Sequence, residues 1–411
     1  MAMLRWIVFI IIYIALGLYT LQALKTVTRY PWVYYLFITI AILVLGNFIY
    51  QFTLGEAQGR VLSKPKSYAF GLLLTVLAFQ IITILFLFSE DVFRLFSGLY
   101  QKVSGNDKTF TLPERRRFMS LLGLGIAAIP FGALLYGMYK GKYNFKVLKY
   151  NLEFDDLPEA FDGYQITQIS DVHSGSFDDR KKIEYAIDLV NQQKSDVILF
   201  TGDMVNNKTE EMLPWAELFS TLEAKDGKFS VLGNHDYGDY IEWDTEELKH
   251  QNLEDLKNLQ RQMGFDLLLN ENRYLQKGSD KIALVGVENW GRGGFKKAGD
   301  LKRAASQLSK DEFKILMSHD PSHWEDVVLK DDYHYHLTLS GHTHGMQFGI
   351  EIPGWVKWSP VKWRYRYWAG IYKELGQYIN VNRGFGFLGY PGRVGIWPEI
   401  SVITLKRKPL T

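Results

Sequence analysis

Leu4 to Leu24 reads "LRWIVFIIIYIALGLYTLQAL", a nearly unbroken apolar run. At ~1.5 Å per residue, about 20 such residues cross ~30 Å of hydrocarbon, and a helix apolar on every side cannot sit on the surface of a soluble domain. Trp32 to Phe52 and Tyr68 to Phe88 repeat the pattern, with Trp and Tyr at ends where a membrane interface holds them. Phe118 to Tyr139 is a fourth run, less apolar but without a charge. Acidic residues are correspondingly scarce: only Glu56, Glu90, Asp91 and Asp107 precede Pro113. The sequence therefore predicts a membrane domain over residues 1–145, with transmembrane helices at about 4–24, 32–52, 68–88 and 118–139.

The charges flanking these runs bear on orientation. In "ERRRFMSLLGLG", Arg115 and Arg116 stand shortly before Phe118 and Met119. The pattern resembles a twin-arginine export signal placed internally, and it equally fits the positive flank of the fourth span. Either reading keeps Arg115 to Arg117 in the cytoplasm and sends everything after Tyr139 across a bacterial cytoplasmic membrane. The other loops do not decide the matter: Arg60, Lys64 and Lys66 fall on one side, while Lys140, Lys142, Lys146 and Lys149 follow the last span. No small-residue cleavage site follows the first run, which argues against a removed signal peptide.

Residues 146–411 read as a second, water-soluble domain. Short β-rich runs end in polar residues ("YQITQISDVH", "DVILFTGDM", "KFSVLGNHD", "KIALVGVEN", "FKILMSHDP", "HLTLSGHTHG"). Helical patterns such as "RKKIEYAIDLVNQQ", with Ile183, Ala186, Ile187 and Val190 on one face, lie between several of them. That alternation predicts an α/β fold, in which ligands gather at the C-terminal ends of strands. The chain has no cysteine, which excludes disulfides, zinc–thiolate sites and cysteine nucleophiles. Its net charge of +2 gives no basis for a nucleic-acid partner.

The strand ends carry Asp171, His173, Asp203, Asn234, His319, His342 and His344. Seven nitrogen and oxygen donors suit two divalent metal ions of the manganese, iron or zinc type better than calcium or magnesium. Asp203 can bridge two cations through its carboxylate. Such a pair acidifies a water and neutralises phosphoryl oxygens, which is the chemistry of phosphate-ester hydrolysis. His235 is needed for no metal position and is free to protonate a leaving group, with Asp236 placed to orient it through a hydrogen bond. Gly202, Gly233 and Gly341 are expected at tight turns that bring the donors together. His250, His323, His334 and His336 lack this context and read as structural.

These motifs resemble those of the calcineurin-like metallophosphoesterases, and among them the bacterial membrane-associated or exported branch. "DVH", "GDM", "GNHD", "SHD" and "GHTHG" stand in the family's order, followed by "VNRGFGFLGYPGRVGIWPEI" and a closing "SVITL" strand. The resemblance covers residues 147 to 407. It implies a two-sheet α/β sandwich flanked by helices, here preceded by the transmembrane domain. It also implies one metal on Asp171, His173, Asp203 and His344, and another on Asp203, Asn234, His319 and His342. Met346 stands where the family has glycine, which changes the rim of the pocket.

"GWVKWSPVKWRYRYW", residues 354–368, interleaves Trp355, Trp358, Trp363 and Trp368 with Lys357, Lys362, Arg364 and Arg366. It suits the headgroup level of a bilayer, a packed rim of the domain, or stacking on bases. Tyr237 to Phe265 reads as a helix capping the site, with Leu248, Leu253, Leu256 and Leu259 inward, or else as an ordinary packed helix. A hydrolase fixed to a membrane is expected to act on a phosphorylated lipid or other envelope-borne phosphate. The alternatives are a pyrophosphatase cleaving a UDP-linked diacylglucosamine, which needs a cytoplasmic site, and a membrane scaffold or sensor whose metal site is vestigial.

Overall fold

The computed structural model describes residues 2–53, 61–104, 113–352 and 354–408; Glu56, Arg60 and Asp107 lie outside them. The chain divides into a helical unit, Met1–Ala57 with Lys64–Tyr139, and a unit built on Lys140–Thr411. The helical unit holds α1 (Ala2–Val27), α2 (Pro31–Thr53), α3 (Lys64–Ser104) and α4 (Pro113–Tyr139). All four are long and apolar enough to cross a membrane. Large apolar side chains such as Ile11, Leu18, Leu43 and Leu85 face outward from them, as lipid contact requires.

α3 runs well past the predicted end at Phe88. At 41 residues it is ~60 Å long, about twice the hydrocarbon thickness. Nothing after Phe88 breaks the helix, and Glu90 pairs with Arg94 one turn on at 3.0 Å. Glu90 and Asp91 also take Arg116 of α4, which donates as well to Gln22 of α1 at 3.1 Å. Arg116 is therefore an interhelical ion-pair partner within the helical unit, a use that neither sequence reading of the arginine cluster anticipated.

The second unit opens with β1 (Lys146–Phe154), β2 (Gln165–Ile169), β3 (Val197–Phe200), β4 (Lys228–Ser230) and β5 (Phe265–Leu267). A second series follows: β6 (Glu271–Lys277), β7 (Asp280–Gly286), β8 (Lys314–Met317) and β9 (Leu337–Ser340). β10 (Ile350–Ile352) and β11 (Val356–Trp358) form a hairpin, and β12 (Gly370–Glu374), β13 (Gln377–Val381) and β14 (Glu399–Arg407) complete the set. One six-stranded sheet has the order β1-β14-β2-β3-β4-β5 and the other β12-β13-β9-β8-β7-β6. β2 to β5 are mutually parallel, as are β7, β8, β9 and β13.

The two sheets enclose a core of Ile166, Val197, Leu199 and Phe229 from one and Leu284, Ile315, Met317 and Leu339 from the other. The outer face of the first sheet is covered by α5 (Arg180–Asn191), α6 (Leu213–Ser220) and α7 (Glu246–Gln262). Burial on both faces is why the central parallel strands read as continuous apolar runs, all four residues of "VILF" in β3 being buried. This is the α/β sandwich the motifs implied.

α7 takes the plainer of its two readings. Leu256 and Leu259 pack into the helix-side core with Met263, while Leu248 is exposed. No residue of α7 lines the cleft over the clustered histidines.

Candidate metal centre

Each donor lies in the loop that leaves the C-terminal end of a parallel strand: Asp171 and His173 after β2, Asp203 after β3, Asn234 and His235 after β4. His319 follows β8, and His342 and His344 follow β9. These loops turn sharply. Asp171, His173, Asp203, His342 and His344 all adopt left-handed backbone, with φ between 47° and 71°. Such conformations cost on the order of 1 kcal/mol or more each in non-glycine residues, so the surrounding fold must hold them. Gly233 and Gly341 permit the approach, because a Cβ on Gly233 would overlap the Asp203 carboxylate and one on Gly341 the Asp171 carboxylate.

The convergence is tight. His344 Nε2 lies 3.2 Å from Asp171 Oδ1 and 3.0 Å from His173 Nε2. Asp203 Oδ2 is 3.1 Å from His319 Nε2 and 3.6 Å from His173 Nε2. His342 Nδ1 is 2.7 Å from Asn234 Oδ1. The two oxygens of Asp203 are placed differently. Its Oδ1 accepts the backbone N–H of His235 at 2.8 Å, which leaves Oδ2 facing both.

Outer partners fix which atom each donor presents. His319 Nδ1 donates to the Thr201 carbonyl at 2.8 Å, so its Nε2 is turned toward Asp203. Asn234 Nδ2 donates to Tyr240 Oη at 2.8 Å, which points the amide oxygen inward. His342 Nε2 meets Tyr365 Oη at 2.8 Å and Asp320 Oδ2 at 3.3 Å. His235 Nδ1 donates to the Asn206 carbonyl at 2.8 Å, leaving Nε2 free.

Asp236 departs from its expected role. Its carboxylate accepts the N–H groups of Asp203, Met204 and Gly233 at 2.8–3.0 Å. It thus ties the β3 and β4 loops together, and the orientation of His235 is set by Asn206 instead. The sequence reading also missed Tyr240, Asp320 and Tyr365. Asp320 was visible as the last letter of "SHD", whereas the two tyrosines reach the site from segments with no metal-ligand pattern.

The electrostatics fit a cation. Burial, with His235 and His344 nearby, pushes His173 well below the usual histidine range. Burial also lowers His319, but Asp203 and Asp171 outweigh it and raise this imidazole to about 10. The carboxylates therefore demand positive charge where protons alone are poorly placed to supply it at every donor. Three overlapping groups have the spacing to hold an ion: Asp171–His173–His344, His173–Asp203–His235 and Asp203–His319–His342. All are buried or nearly so, beneath a cleft of about 370 Å³ walled by Phe295, Met346, Trp363, Arg364 and Leu388.

Residues 164–346 match the calcineurin-like phosphoesterase family profile, and residues 4–142 match the four-helix transmembrane domain of calcineurin-like phosphoesterases. The metallophosphoesterase YkuE of Bacillus subtilis, itself uncharacterized, is 31% identical over 71% of this chain and 98% of its own length. An uncharacterized metallophosphoesterase of Aquifex aeolicus is 30% identical over 68% of this chain and 99% of its own. A transmembrane protein with a metallophosphoesterase domain from Danio rerio is 25% identical over 89% of this chain and 78% of its own. The chain belongs to the calcineurin-like metallophosphoesterases. It is a metal-dependent phosphohydrolase that carries its own four-helix transmembrane domain.

Proposed function

We propose that this protein is a dinuclear phosphoesterase of the bacterial cytoplasmic membrane, with residues 1–145 as the anchor and residues 146–411 as an extracytoplasmic catalytic domain. Its substrate in this reading is a phosphate ester or diester of a lipid or other envelope-borne molecule. The observation that carries the chemistry is the single oxygen, Asp203 Oδ2, facing donors of both clusters. One cation would be held by Asp171, His173, Asp203 and His344, and the other by Asp203, Asn234, His319 and His342. Two divalent ions of the manganese, iron or zinc class supply there an acidified water and neutralisation of the phosphoryl oxygens.

The chain's own groups do the rest. His235 keeps Nδ1–H on the Asn206 carbonyl and presents Nε2 to the cleft, from which it protonates the departing oxygen. Tyr240, its ring 4.4 Å from that of His235, limits imidazole rotation while holding the Asn234 amide. Asp236 keeps the two loops in register through the backbone. Arg364, on the rim of the cleft, is placed to receive the remaining phosphate charge.

The test is mass spectrometry of a bacterial membrane-lipid extract incubated with manganese-loaded full-length protein, with His235→Ala as control. The expected result is loss of one phospholipid or lipid-linked phosphate with the active protein only. An unchanged extract, alongside cleavage of a soluble aryl phosphodiester, would overturn the lipid substrate and leave the hydrolase.

A further inference from the structure

The segment "MQFGIEI", Met346 to Ile352, leads from the last histidine motif into the β10–β11 hairpin, and its sides are inverted. Gln347 points inward, its amide nitrogen donating to the Tyr390 and Gly392 carbonyls at 2.8 Å and its oxygen accepting Leu388 N–H at 2.6 Å. Glu351 also points inward, in a two-pronged pair with the buried Arg383, one arm of which is 3.0 Å long. Around these, Met346, Phe348, Ile350 and Ile352 face out. In β10 strand side chains alternate, so fixing Glu351 inside commits Ile350 and Ile352 to the surface, while Met346 and Gln347 lie in a turn of left-handed backbone. Ile350 is 53% exposed and Ile352 44%.

In the hairpin β10 alone shows the inversion, since in β11 Lys357 is exposed and Val356 and Trp358 are half-buried. Register pairs Glu351 with Lys357, whose ammonium contacts the Ala369 carbonyl, and pairs Ile350 with Trp358 and Ile352 with Val356. At its tip Trp355 is 79% exposed. Trp358 meets Trp363, 75% exposed, edge to face at 6.1 Å between centroids. Lys362 and Arg364 flank Trp363 and are both exposed. The face is continuous with the metal centre, since Met346 and Trp363 also wall its cleft.

An exposed apolar surface of this kind marks an interaction site. Two exposed tryptophans beside aliphatic side chains and two cations match the headgroup layer of an anionic bilayer, where indoles sit at the boundary and basic groups meet lipid phosphates. The chain's own transmembrane helices keep a bilayer within reach.

We propose that Met346–Ile352, Trp355 and Trp363 form a docking surface for an anionic bilayer, seated at headgroup level and delivering lipid-borne phosphates into the adjoining cleft. This rests on the envelope-substrate reading and deepens it: the membrane is a surface the catalytic domain grips as well as an anchor for the helices.

Full-length protein is reconstituted in vesicles of equal parts phosphatidylcholine and phosphatidylglycerol, with plain or acyl-brominated chains. Tryptophan emission of the wild type is compared with that of Trp355→Phe. The emission that Trp355 contributes is expected to be strongly quenched in the brominated vesicles. An equal Trp355 contribution in both kinds of vesicle overturns the proposal, since Trp355 then lies in water or against protein, including this chain's own helices or a second copy. A triple variant, Ile350→Asn with Ile352→Asn and Trp355→Ser, is expected to keep turnover of soluble bis(p-nitrophenyl) phosphate while losing turnover of any lipid substrate. Lys362→Gln is expected to lower the lipid activity about five-fold, the factor corresponding to one charge near an anionic surface. Quenching without consumption of any lipid leaves the docking surface standing and overturns the lipid substrate. Lipid consumption without quenching does the reverse.

Discussion

In the proposed mechanism Asp203 and His235 divide the chemistry between binding charge and moving a proton, and the two are expected to fail differently. Asp203→Asn removes the charge of the oxygen that faces both clusters, and an amide cannot hold that place with equal strength. Its activity on bis(p-nitrophenyl) phosphate should fall by more than the ~100-fold typical of losing an outer partner, with reduced bound metal measured by elemental analysis. His235→Ala should keep its metal. If His235 is the proton donor, the loss is ~10²–10⁴-fold for alkyl esters, whose alkoxide needs a proton, and much smaller for p-nitrophenyl esters, whose phenolate leaves unaided. Equal losses on both esters would remove His235 from that role. At this scale much was legible, because a histidine or carboxylate is recognisable wherever it falls in a motif. Asp236 was assigned to the wrong partner because adjacency in sequence says nothing of where a carboxylate points once the turn is made.

The loops leaving the strands hold five donors in left-handed conformations, and the mutual repulsion of their lone pairs adds to that cost. A bound cation opposes both terms. Removing metal with a chelator should therefore lower the melting temperature of the detergent-solubilised protein, and manganese at one hundred times its Kd should restore about 2.7 kcal/mol. A melting curve indifferent to chelation would mean that the loops are held by packing alone. α7 offers a second test. Leu256 is fully buried in the helix-side core, so Leu256→Ala should cost about 2–5 kcal/mol of stability while the folded fraction keeps its kcat and KM. A raised KM without loss of stability would restore α7 as a cap on the site. The amphipathic spacing of its leucines announced the helix but not its partner, since an apolar stripe packs equally well over a site or over a core.

For the molecule as a whole, the proposed orientation has the catalytic domain outside the cytoplasm. Protease added to intact spheroplasts should then cleave it, and protection that ends only on lysis would place it inside. Arg116 complicates the charge rule on which this rests, because Glu90 and Asp91 neutralise it within the helical unit. Arg115 and Arg117 remain as the positive flank.

By itself the sequence determined the presence of membrane-crossing segments, the α/β character of the remainder and the identity of the metal-binding motifs. Each is a local property: a run of apolar residues, a period of two or 3.6, a histidine two residues from another. Only the tertiary structure decided that α3 is longer than the hydrocarbon is thick, that one oxygen of Asp203 faces donors of both clusters, and that Asn206 accepts from His235. It alone also showed that the polar residues of "MQFGIEI" are spent inside, leaving the apolar ones facing out. These depend on which distant segments meet, and strand order and side-chain direction are set by packing across the whole chain rather than by neighbours along it.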